Sequence, residues 1–351
     1  MTCIVVDAMG SDEHPQPDVE GAVMAAREYG VKIILVGDES KLKPVLASLN
    51  PAGLPVSIVH APETLTMEDK GMKLVLKARR PTSQNSMAVG IDLVKNGKAD
   101  AFVTAGNTGA AMVTAYFRLG TIPGVDLPAL APVFPTATGT CVVLDVGANP
   151  EVKPENLVQF GIMGSIYAQK VRGLPSPKVG LVSNGEEEGK GNNLIKEATP
   201  LLKESGLNFY GNVEGKEVIG GVVDVAVTDG FVGNVMLKTA EAVAKLIVDK
   251  IKDAIKGGGP LAMLGGLLVK PALGGIKKLL DPAEHGAAPL LGVNGLVFIG
   301  HGRSDAVAIK NAIRVAKEAS EANVLGSLRT AIEESLKKSS QTEPLVANLA
   351  K

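Results

Sequence analysis

Six segments of the sequence combine glycine with Asp, Asn, Thr or Ser, and each follows a short apolar run. Glycine allows the backbone to approach an anion closely and to point several N–H groups at it. A helix that starts after such a segment adds the positive end of its dipole, and Asn and Thr side chains supply neutral donors. The pattern therefore predicts a binding site for phosphate or a phosphate-like group. The segments are residues 7–12, 104–109, 145–149, 183–192, 228–234 and 300–304.

Several side chains in these segments could bind a ligand or could serve the fold. His301 lies between two glycines after an apolar run, where a functional and a structural role are both open. Lys190 lies in a polar glycine loop and could equally be a solvated lysine. Asp7, Asp145 and Asp229 each end a predicted strand, where a carboxylate can position donors or cap a helix. Any one segment could be a simple turn, whereas six at one sheet edge favour a ligand site.

The standard motifs for nucleotides and metals are missing from the sequence. No G-x-G-x-x-G follows a strand, so a dinucleotide site is disfavoured. The stretch Gly185–Lys190 resembles a Walker A loop, but it has three residues between its glycines, and Gly191 replaces the Ser or Thr that would bind Mg²⁺. There is no zinc-ligand spacing and no G-x-S-x-G elbow. We therefore predict no cofactor and no metal.

Composition narrows the class of protein further. The net charge of −1 argues against a nucleic-acid partner. Cys3 and Cys141 lie inside apolar runs, so we interpret them as small core residues in a reducing compartment. No apolar run reaches the roughly 20 residues of a membrane span, and no signal peptide precedes the first predicted strand.

Short apolar runs alternate with helical patterns, which is typical of an α/β fold with mostly parallel layered sheets and helices on both faces. Parallel strands bring their carboxyl ends to one edge, so the six segments are expected to share that edge. Runs at residues 130–134 and 141–146 flank a Pro/Thr/Gly turn and predict a hairpin that could join two lobes. The other predicted strands are residues 3–6, 32–36, 56–60, 101–104, 179–182, 209–213, 222–227 and 296–299. The predicted helices are residues 18–29, one opening at 39–40, then 86–95, 108–119, 154–171, 231–255, 304–319 and 321–337.

Seven ordered segments closely resemble the phosphate acyltransferases of bacterial phospholipid synthesis, the PlsX type. They are IVVDAMGSD, GKADAFVTAGNTGA, VVLDVGANPEVKPENLVQFGIMG, SNGEEEGKGN, NFYGNVEG, DVAVTDGFVGNVMLK and LLGVNGLVFIGHGRSD, within residues 3–315. The first segment departs from the family pattern, since Ser11 follows Gly10 where the family has a second glycine.

The resemblance implies a reaction and its partners. Long-chain acyl-[acyl carrier protein] and inorganic phosphate would give acyl phosphate, which a membrane glycerol-3-phosphate acyltransferase then uses. It also implies a homodimer with an isocitrate/isopropylmalate dehydrogenase-like fold in two lobes. With the hairpin between them, we expect residues 1–125 and 285–339 in the first lobe, 126–284 in the second, and a frayed tail at 340–351. The expected location is the cytoplasm, with possible peripheral attachment to the membrane.

The same resemblance suggests roles for residues of the polar segments. Backbone N–H groups and amide or hydroxyl side chains would hold phosphate and the oxyanion, while Lys190 or His301 would offset charge or protonate the departing thiolate. The catalytic candidates are Lys190, His301 and Asn234. The candidates for binding phosphate or substrate are Asp7, Gly10, Asn107, Thr108, Gly109, Asn184, Asn192, Asp229 and Gly230.

The sequence leaves two interpretations open for each of two surfaces, and it leaves two alternative functions. Residues 252–280 mix Leu with Lys, and we expect them to form a projecting helical tip of the second lobe. Leu264, Leu267 and Leu268 would then contact either a membrane surface or a dimer partner. Lys77, Arg79 and Arg80 could dock the acidic carrier protein or could simply form a solvated helix face. The alternative functions are a phosphate acetyl- or butyryltransferase that uses coenzyme A, and a non-catalytic peripheral membrane scaffold.

Overall fold

The computed structural model describes residues 1–66, 68–69, 71–80, 82–271, 275 and 282–349. In this part of the chain, strands and helices form two sheets with helices packed on both. The strands are β1 Cys3–Asp7, β2 Lys32–Gly37, β3 Val56–His60, β4 Ala101–Thr104, β5 Ala129–Leu130, β6 Val133–Thr136, β7 Gly139–Leu144, β8 Val179–Val182, β9 Phe209–Val213, β10 Val225–Val227, β11 Ala288–Leu291 and β12 Leu296–Ile299. The helices are α1 Gln16–Tyr29, α2 Glu39–Ser48, α3 Gly71–Arg79, α4 Ser86–Lys95, α5 Thr108–Leu119, α6 Pro154–Arg172, α7 Asn193–Glu204, α8 Gly215–Gly220, α9 Gly230–Gly257, α10 Gly259–Val269, α11 Pro282–His285, α12 Ala306–Glu321 and α13 Val324–Leu349.

The first sheet has seven strands in the order β3-β2-β1-β4-β12-β11-β5. Strands β3, β2, β1, β4 and β12 pair in parallel, whereas β11 is antiparallel to both of its neighbours. Ile4, Val5 and Val6 are all fully buried because both faces of the sheet are covered. A strand covered on both faces is apolar throughout rather than alternating, and this explains the continuous apolar runs in the sequence.

The second sheet has five strands in the order β6-β7-β10-β8-β9. Strand β6 is antiparallel to β7, and the other pairs are parallel. The chain leaves the first sheet after β5, forms the second sheet over residues 133–227, and returns at β11. The mostly parallel α/β fold predicted from the sequence is therefore confirmed. The division into two lobes at the stated boundaries stays a prediction.

The predicted hairpin has the wrong first strand. Ala131 N–H donates to the Pro289 carbonyl in the first sheet, whereas the Pro132 carbonyl accepts from Val143 N–H in the second. Pro132 has no N–H to continue a ladder, so the apolar run divides there and its halves join different sheets. The hairpin itself is β6-β7, and β7 ends at Leu144 rather than at residue 146.

Other boundaries also differ from the prediction. Helices α3, α7, α8 and α11 and strand β11 were not predicted, and β10 is shorter than the predicted strand at 222–227. Helix α10 lies within the helical tip predicted at 252–280. The backbone of α13 runs to Leu349, past the predicted end at Lys337 and through most of the segment for which we expected a frayed tail.

Candidate functional site

The loops after β1, β4 and β12 lie against one another, because these strands are adjacent in the first sheet. A Cβ atom at Gly10 would lie 2.9 Å from Gly106 N, so only glycine allows this approach of the two loops. Asp12 N–H donates to the Gly302 carbonyl at 2.7 Å. Three of the predicted segments therefore form one polar surface at the carboxyl edge of the sheet.

Asp7 is hydrogen-bonded to two of the loops that form this surface. Its buried carboxylate accepts hydrogen bonds from Met9 N–H at 3.2 Å and from the Thr104 hydroxyl at 2.8 Å, and Thr104 Oγ1 accepts from Gly106 N–H at 3.0 Å. Burial raises the pKa of Asp7. Asp7 thus fixes the β1 and β4 loops in the described structure.

A second buried acid, Asp18, lies under the same loop and was missed in the sequence. Ser11 Oγ donates to Asp18 Oδ2 at 2.5 Å, while Asp18 Oδ1 has no partner among the described residues. Burial, together with the nearby charge of Asp7, raises the pKa of Asp18 to about 7. No sequence signal separates Asp18 from the ordinary acidic residue of a helix first turn.

The N-terminus of α5 faces the polar surface. Asn107 caps this helix by accepting from Ala110 N–H at 3.0 Å, and its amide donates to the Thr66 and Asp69 carbonyls at 3.2 Å each. Both the amide oxygen and the amide nitrogen of the Asn107 side chain are therefore hydrogen-bonded to protein groups. The N–H groups of Thr108 and Gly109 donate to no group in the described chain, and donors of this kind at a helix N-terminus can bind an anion.

Asp145 connects the edges of the two sheets. Its carboxylate accepts from Leu130 N–H of β5 at 3.0 Å, from Ala148 N–H at 3.1 Å and from Asn149 N–H at 2.6 Å. Burial raises the pKa of Asp145, against the lowering effect of these donors. The residue is thus an anchor for the loop after β7.

Helix α9 starts against this anchor. Asp229 caps the helix by accepting from Val232 N–H at 2.8 Å. Gly230 N–H donates to the Asn149 carbonyl at 2.8 Å, and a Cβ at Gly233 would lie 1.8 Å from the Asp145 carbonyl oxygen. Asn234 is exposed beside Gly147. The structure therefore brings Asp229, Gly230 and Asn234 together with the β7 loop.

The loop at residues 183–192 is closed by its own contacts. Asn184 Oδ1 accepts from Gly191 N–H at 2.9 Å, and Asn192 caps α7 by accepting from Ile195 N–H at 3.0 Å. Lys190 is exposed, and its backbone N–H donates to the Glu187 carbonyl at 3.0 Å. The structure records no contact between these predicted residues and His301.

Three carboxylates near this loop could in principle attract a metal ion. The carboxylates of Glu186, Glu214 and Glu217 converge within the described chain. Lys216 Nζ already lies 2.7 Å from Glu186, 3.1 Å from Glu214 and 3.6 Å from Glu217. The lysine thus supplies the positive charge that a cation would bring.

His301 is held beside α9 by an acid that the sequence did not indicate. Its Nε2 atom lies 3.4 Å from Glu241 Oε1, and the imidazole is partly exposed, at 41%. Burial lowers the pKa of His301; Lys238 and Arg303 lower it further, whereas Glu241 opposes them. Nothing in the sequence distinguished Glu241 as a site residue, because it is one of many polar residues in a long amphipathic helix.

An apolar cavity of about 630 Å³ opens at this point. Its lining includes Thr108, Gly300 and His301 from the polar loops, and it extends between α9 and the two sheets to Tyr167. The charged residues Arg172, Glu284, Arg314 and Glu318 also line it, although most of its surface is apolar. The volume is within the roughly 300–1,000 Å³ of small-molecule sites. The sequence did not predict this cavity, because its walls come from segments far apart in the chain, such as Phe134, Val146, Leu237 and Ile247.

The basic residues proposed to dock a carrier protein lie on and just after α3. Lys77 Nζ is 2.7 Å from Asp69 Oδ1, and the Arg79 guanidinium lies 5.5 Å from the centre of the Phe117 ring. Arg80 is exposed. Two of the three cations thus have local partners, and docking stays a prediction.

Helix α10 carries the predicted apolar tip. Leu264, Leu267 and Leu268 are 55%, 65% and 74% exposed, and no residue of α10 is buried. Lys277 and Lys278, two of the lysines within the predicted tip at 252–280, lie outside the described residues. Among the described residues, no helix has the length and apolar composition needed to cross a bilayer.

The α/β fold is similar to that of the phosphotransacetylases. The structure matches the EutD phosphotransacetylase from Staphylococcus aureus with a TM-score of 0.56 at 18% identity, over 95% of this chain and 94% of that one. At this identity the match shows the fold alone.

The chain matches the family model described as "Fatty acid synthesis protein" over residues 2–326, and it belongs to that family. It is 50% identical over 325 residues to the phosphate acyltransferase of Acidobacterium capsulatum, across 92% of this chain and 95% of that protein. It is 49% identical over 330 residues to the phosphate acyltransferase of Pelotomaculum thermopropionicum, across 94% and 95% of the two chains. The resemblance noted in the sequence is confirmed, and the protein is an acyl-transferring enzyme.

Proposed function

We propose that the protein forms acyl phosphate from long-chain acyl-[acyl carrier protein] and inorganic phosphate, as a step of bacterial phospholipid synthesis. The observation that carries this proposal is the apolar cavity that opens beside His301 and the N-terminus of α5. Such a cavity suits a hydrocarbon chain, and the polar loops at its mouth suit phosphate.

The reaction needs no nucleophile from the protein. A phosphate oxygen attacks the thioester carbonyl carbon, the carbon–oxygen bond of the acyl phosphate forms, and the carbon–sulfur bond breaks. The sulfur leaves with the bonding electrons and takes a proton to become a thiol. The unoccupied N–H groups of Thr108 and Gly109 support this step, because donors at a helix N-terminus stabilise both phosphate and the oxyanion.

His301 is our candidate for moving the proton. Its lowered pKa keeps the imidazole neutral at pH 7, so it can accept the proton of the attacking phosphate and pass it to the sulfur. Asn234 remains a candidate donor beside Gly147. Lys190 remains a candidate for attracting phosphate from the neighbouring loop.

We also propose that the exposed apolar residues of α9 and α10 contact a second copy of the chain and the membrane surface. Phe231, Val235 and Leu246 of α9 are 66%, 52% and 56% exposed, in addition to the leucines of α10. Apolar residues that are this exposed on two helices packed against each other are typical of an interaction surface. A membrane contact would place the enzyme beside the membrane acyltransferase that uses its product.

The decisive experiment measures phosphate-dependent thiol release from acyl carrier protein loaded with long and short chains, and from acetyl-coenzyme A. We expect the long-chain carrier protein to be the best substrate. Val171→Phe fills the far end of the cavity and should lower the rate with long chains more than with short ones. Val222→Phe changes an exposed residue that does not line the cavity and is the control.

Two results would contradict the proposal. A preference for acetyl-coenzyme A would favour the coenzyme A-dependent alternative. No phosphate-dependent thiol release from any of these thioesters by the purified protein would favour a non-catalytic scaffold.

A further inference from the structure

A second groove, of about 600 Å³, lies between α9 and the segment that leads from β12 into α12. A larger share of its walls than of the apolar cavity's is polar, and the acids Glu241, Asp249 and Asp305 line it together with basic residues. From α9 come Lys238, Lys245 and Lys252, and Arg303 and Ser304 lie opposite them.

The groove and the apolar cavity are adjacent, since Glu241, Ala244, Gly286 and His301 line both of them. One elongated ligand that passes His301 would place one of its parts in the apolar cavity and the other in the groove. Such a ligand needs an apolar part and a polar part, with its reactive group between them.

The lysines of α9 form a stripe along the groove. They recur every seven residues, which places successive lysines roughly 10 Å apart on one side of the helix. Lys238 pairs with Glu241 at 3.1 Å, and Lys252 lies 3.6 Å from Asp249. Lys245 and Arg303 have no carboxylate partner among the described residues. The groove therefore has positive charge available for a single anionic group.

We infer that this groove binds the phosphopantetheinyl arm of the thioester substrate, an inference that rests on the proposed function. With the acyl chain in the apolar cavity, the thioester lies at His301, and the amides of the arm lie along the polar walls. Measured from Glu241, Lys245 and Lys252 are roughly 6 and 16 Å further along α9. They are the cations that meet the phosphodiester at the far end of the arm.

The same placement locates the carrier protein. Its body lies at the outer end of the groove, near Lys252, because the arm connects it to the thioester. Lys77, Arg79 and Arg80 line neither the groove nor the apolar cavity. We therefore favour the α9 stripe over that patch.

The test compares three thioesters of one long acyl chain, carried by the carrier protein, by phosphopantetheine and by pantetheine, which lacks the phosphate. In the double variant Lys245→Glu/Lys252→Glu, we expect kcat/KM to fall about tenfold or more with the first two, and much less with the pantetheine thioester. Lys250→Glu changes the same helix outside the groove and should leave all three values unchanged.

Several results would overturn the inference. A loss with the carrier protein alone would mean that these lysines dock the protein and not the arm. An equal loss with all three thioesters would indicate a disturbed helix. A selective loss in Lys77→Glu/Arg80→Glu would place the arm at that patch instead. Unchanged kinetics with weaker binding to anionic vesicles would assign the stripe to a lipid surface. If the parent protein converts none of the three thioesters, the proposed function itself is wrong.

Discussion

At the scale of single residues, Asp18 lies buried under the β1 loop and receives one side-chain hydrogen bond, from Ser11 at 2.5 Å. Its pKa is about 7 in the folded protein, against 3.8 for the unperturbed group. Between these values the folded state holds a proton that the unfolded state has lost, so this group makes the free energy of unfolding decrease as pH rises. Asp18→Asn removes this dependence. We expect the variant to gain roughly 2–3 kcal/mol over the parent between pH 5 and pH 8.

Denaturant unfolding of both proteins at the two pH values measures this gain. Asp12→Asn removes an exposed carboxylate of the same loop and serves as the control, with the same small difference from the parent at both pH values. A gap between Asp18→Asn and the parent that does not change with pH would show that Asp18 is ionised throughout this range.

His301 is the residue whose loss should reduce catalysis most. His301→Ala removes the imidazole at the mouth of the apolar cavity, and we expect kcat to fall by about 10²–10⁴-fold because proton transfer contributes that much. Lys190→Ala should mainly raise the KM for phosphate, since Lys190 is exposed on a separate loop. Steady-state rates of thiol release give both values, and circular dichroism checks folding. Full activity in both variants would remove these residues from the proposed mechanism.

At the scale of helices and strands, the sequence predicted most elements of the first sheet, because an apolar run followed by a glycine loop is a local signal. It did not predict that the chain passes from the first sheet to the second between Ala131 and Pro132. Each of these residues pairs with a strand from a distant part of the chain. It also did not predict that the Asn107 side chain would be occupied by Thr66 and Asp69. A candidate ligand can be recognised in sequence by its type, but its partners depend on tertiary contacts.

The first turn of α9 packs very closely against the loop after β7. In Gly233→Ala the new Cβ would meet the Asp145 carbonyl oxygen at 1.8 Å, so the helix or the β7 loop must shift. We expect a loss of stability of about 1–3 kcal/mol and a large loss of activity. Gly265→Ala in α10 meets nothing within 4 Å and should be neutral, or stabilising by about 0.5–1 kcal/mol. Thermal unfolding and thiol release compare the two variants, and equal behaviour would mean that the β7 loop is free to move.

At the scale of the whole molecule, the site depends on how the two sheets and α9 are assembled. The cavity has walls from both sheets and from α9, and Thr108 and His301 at the carboxyl edge of the first sheet line it. The sequence predicted one edge shared by six polar segments, but only three of them follow strands of the first sheet. The other three follow β7, β8 and β10 of the second sheet, because the chain builds two sheets rather than one. Neither the cavity nor the pairing of His301 with Glu241 could be predicted, since no local pattern relates a helix residue to a loop 60 positions away.

The exposed leucines of α10 permit a test of whether the assembled protein binds a membrane surface or a second copy of itself. Leu264→Glu/Leu268→Glu places two charges on a helix that has no buried residue, so the fold should persist. We expect this variant to float much less with anionic vesicles than the parent, because inserting charge into a lipid interface is unfavourable. Leu336→Glu changes an exposed leucine of α13 and should float like the parent. Light scattering measures whether each variant is a dimer or a monomer, and this separates a role in dimer formation from a role in membrane binding. If the double variant becomes monomeric and the parent does not bind vesicles, these leucines serve the dimer, and the membrane proposal is wrong.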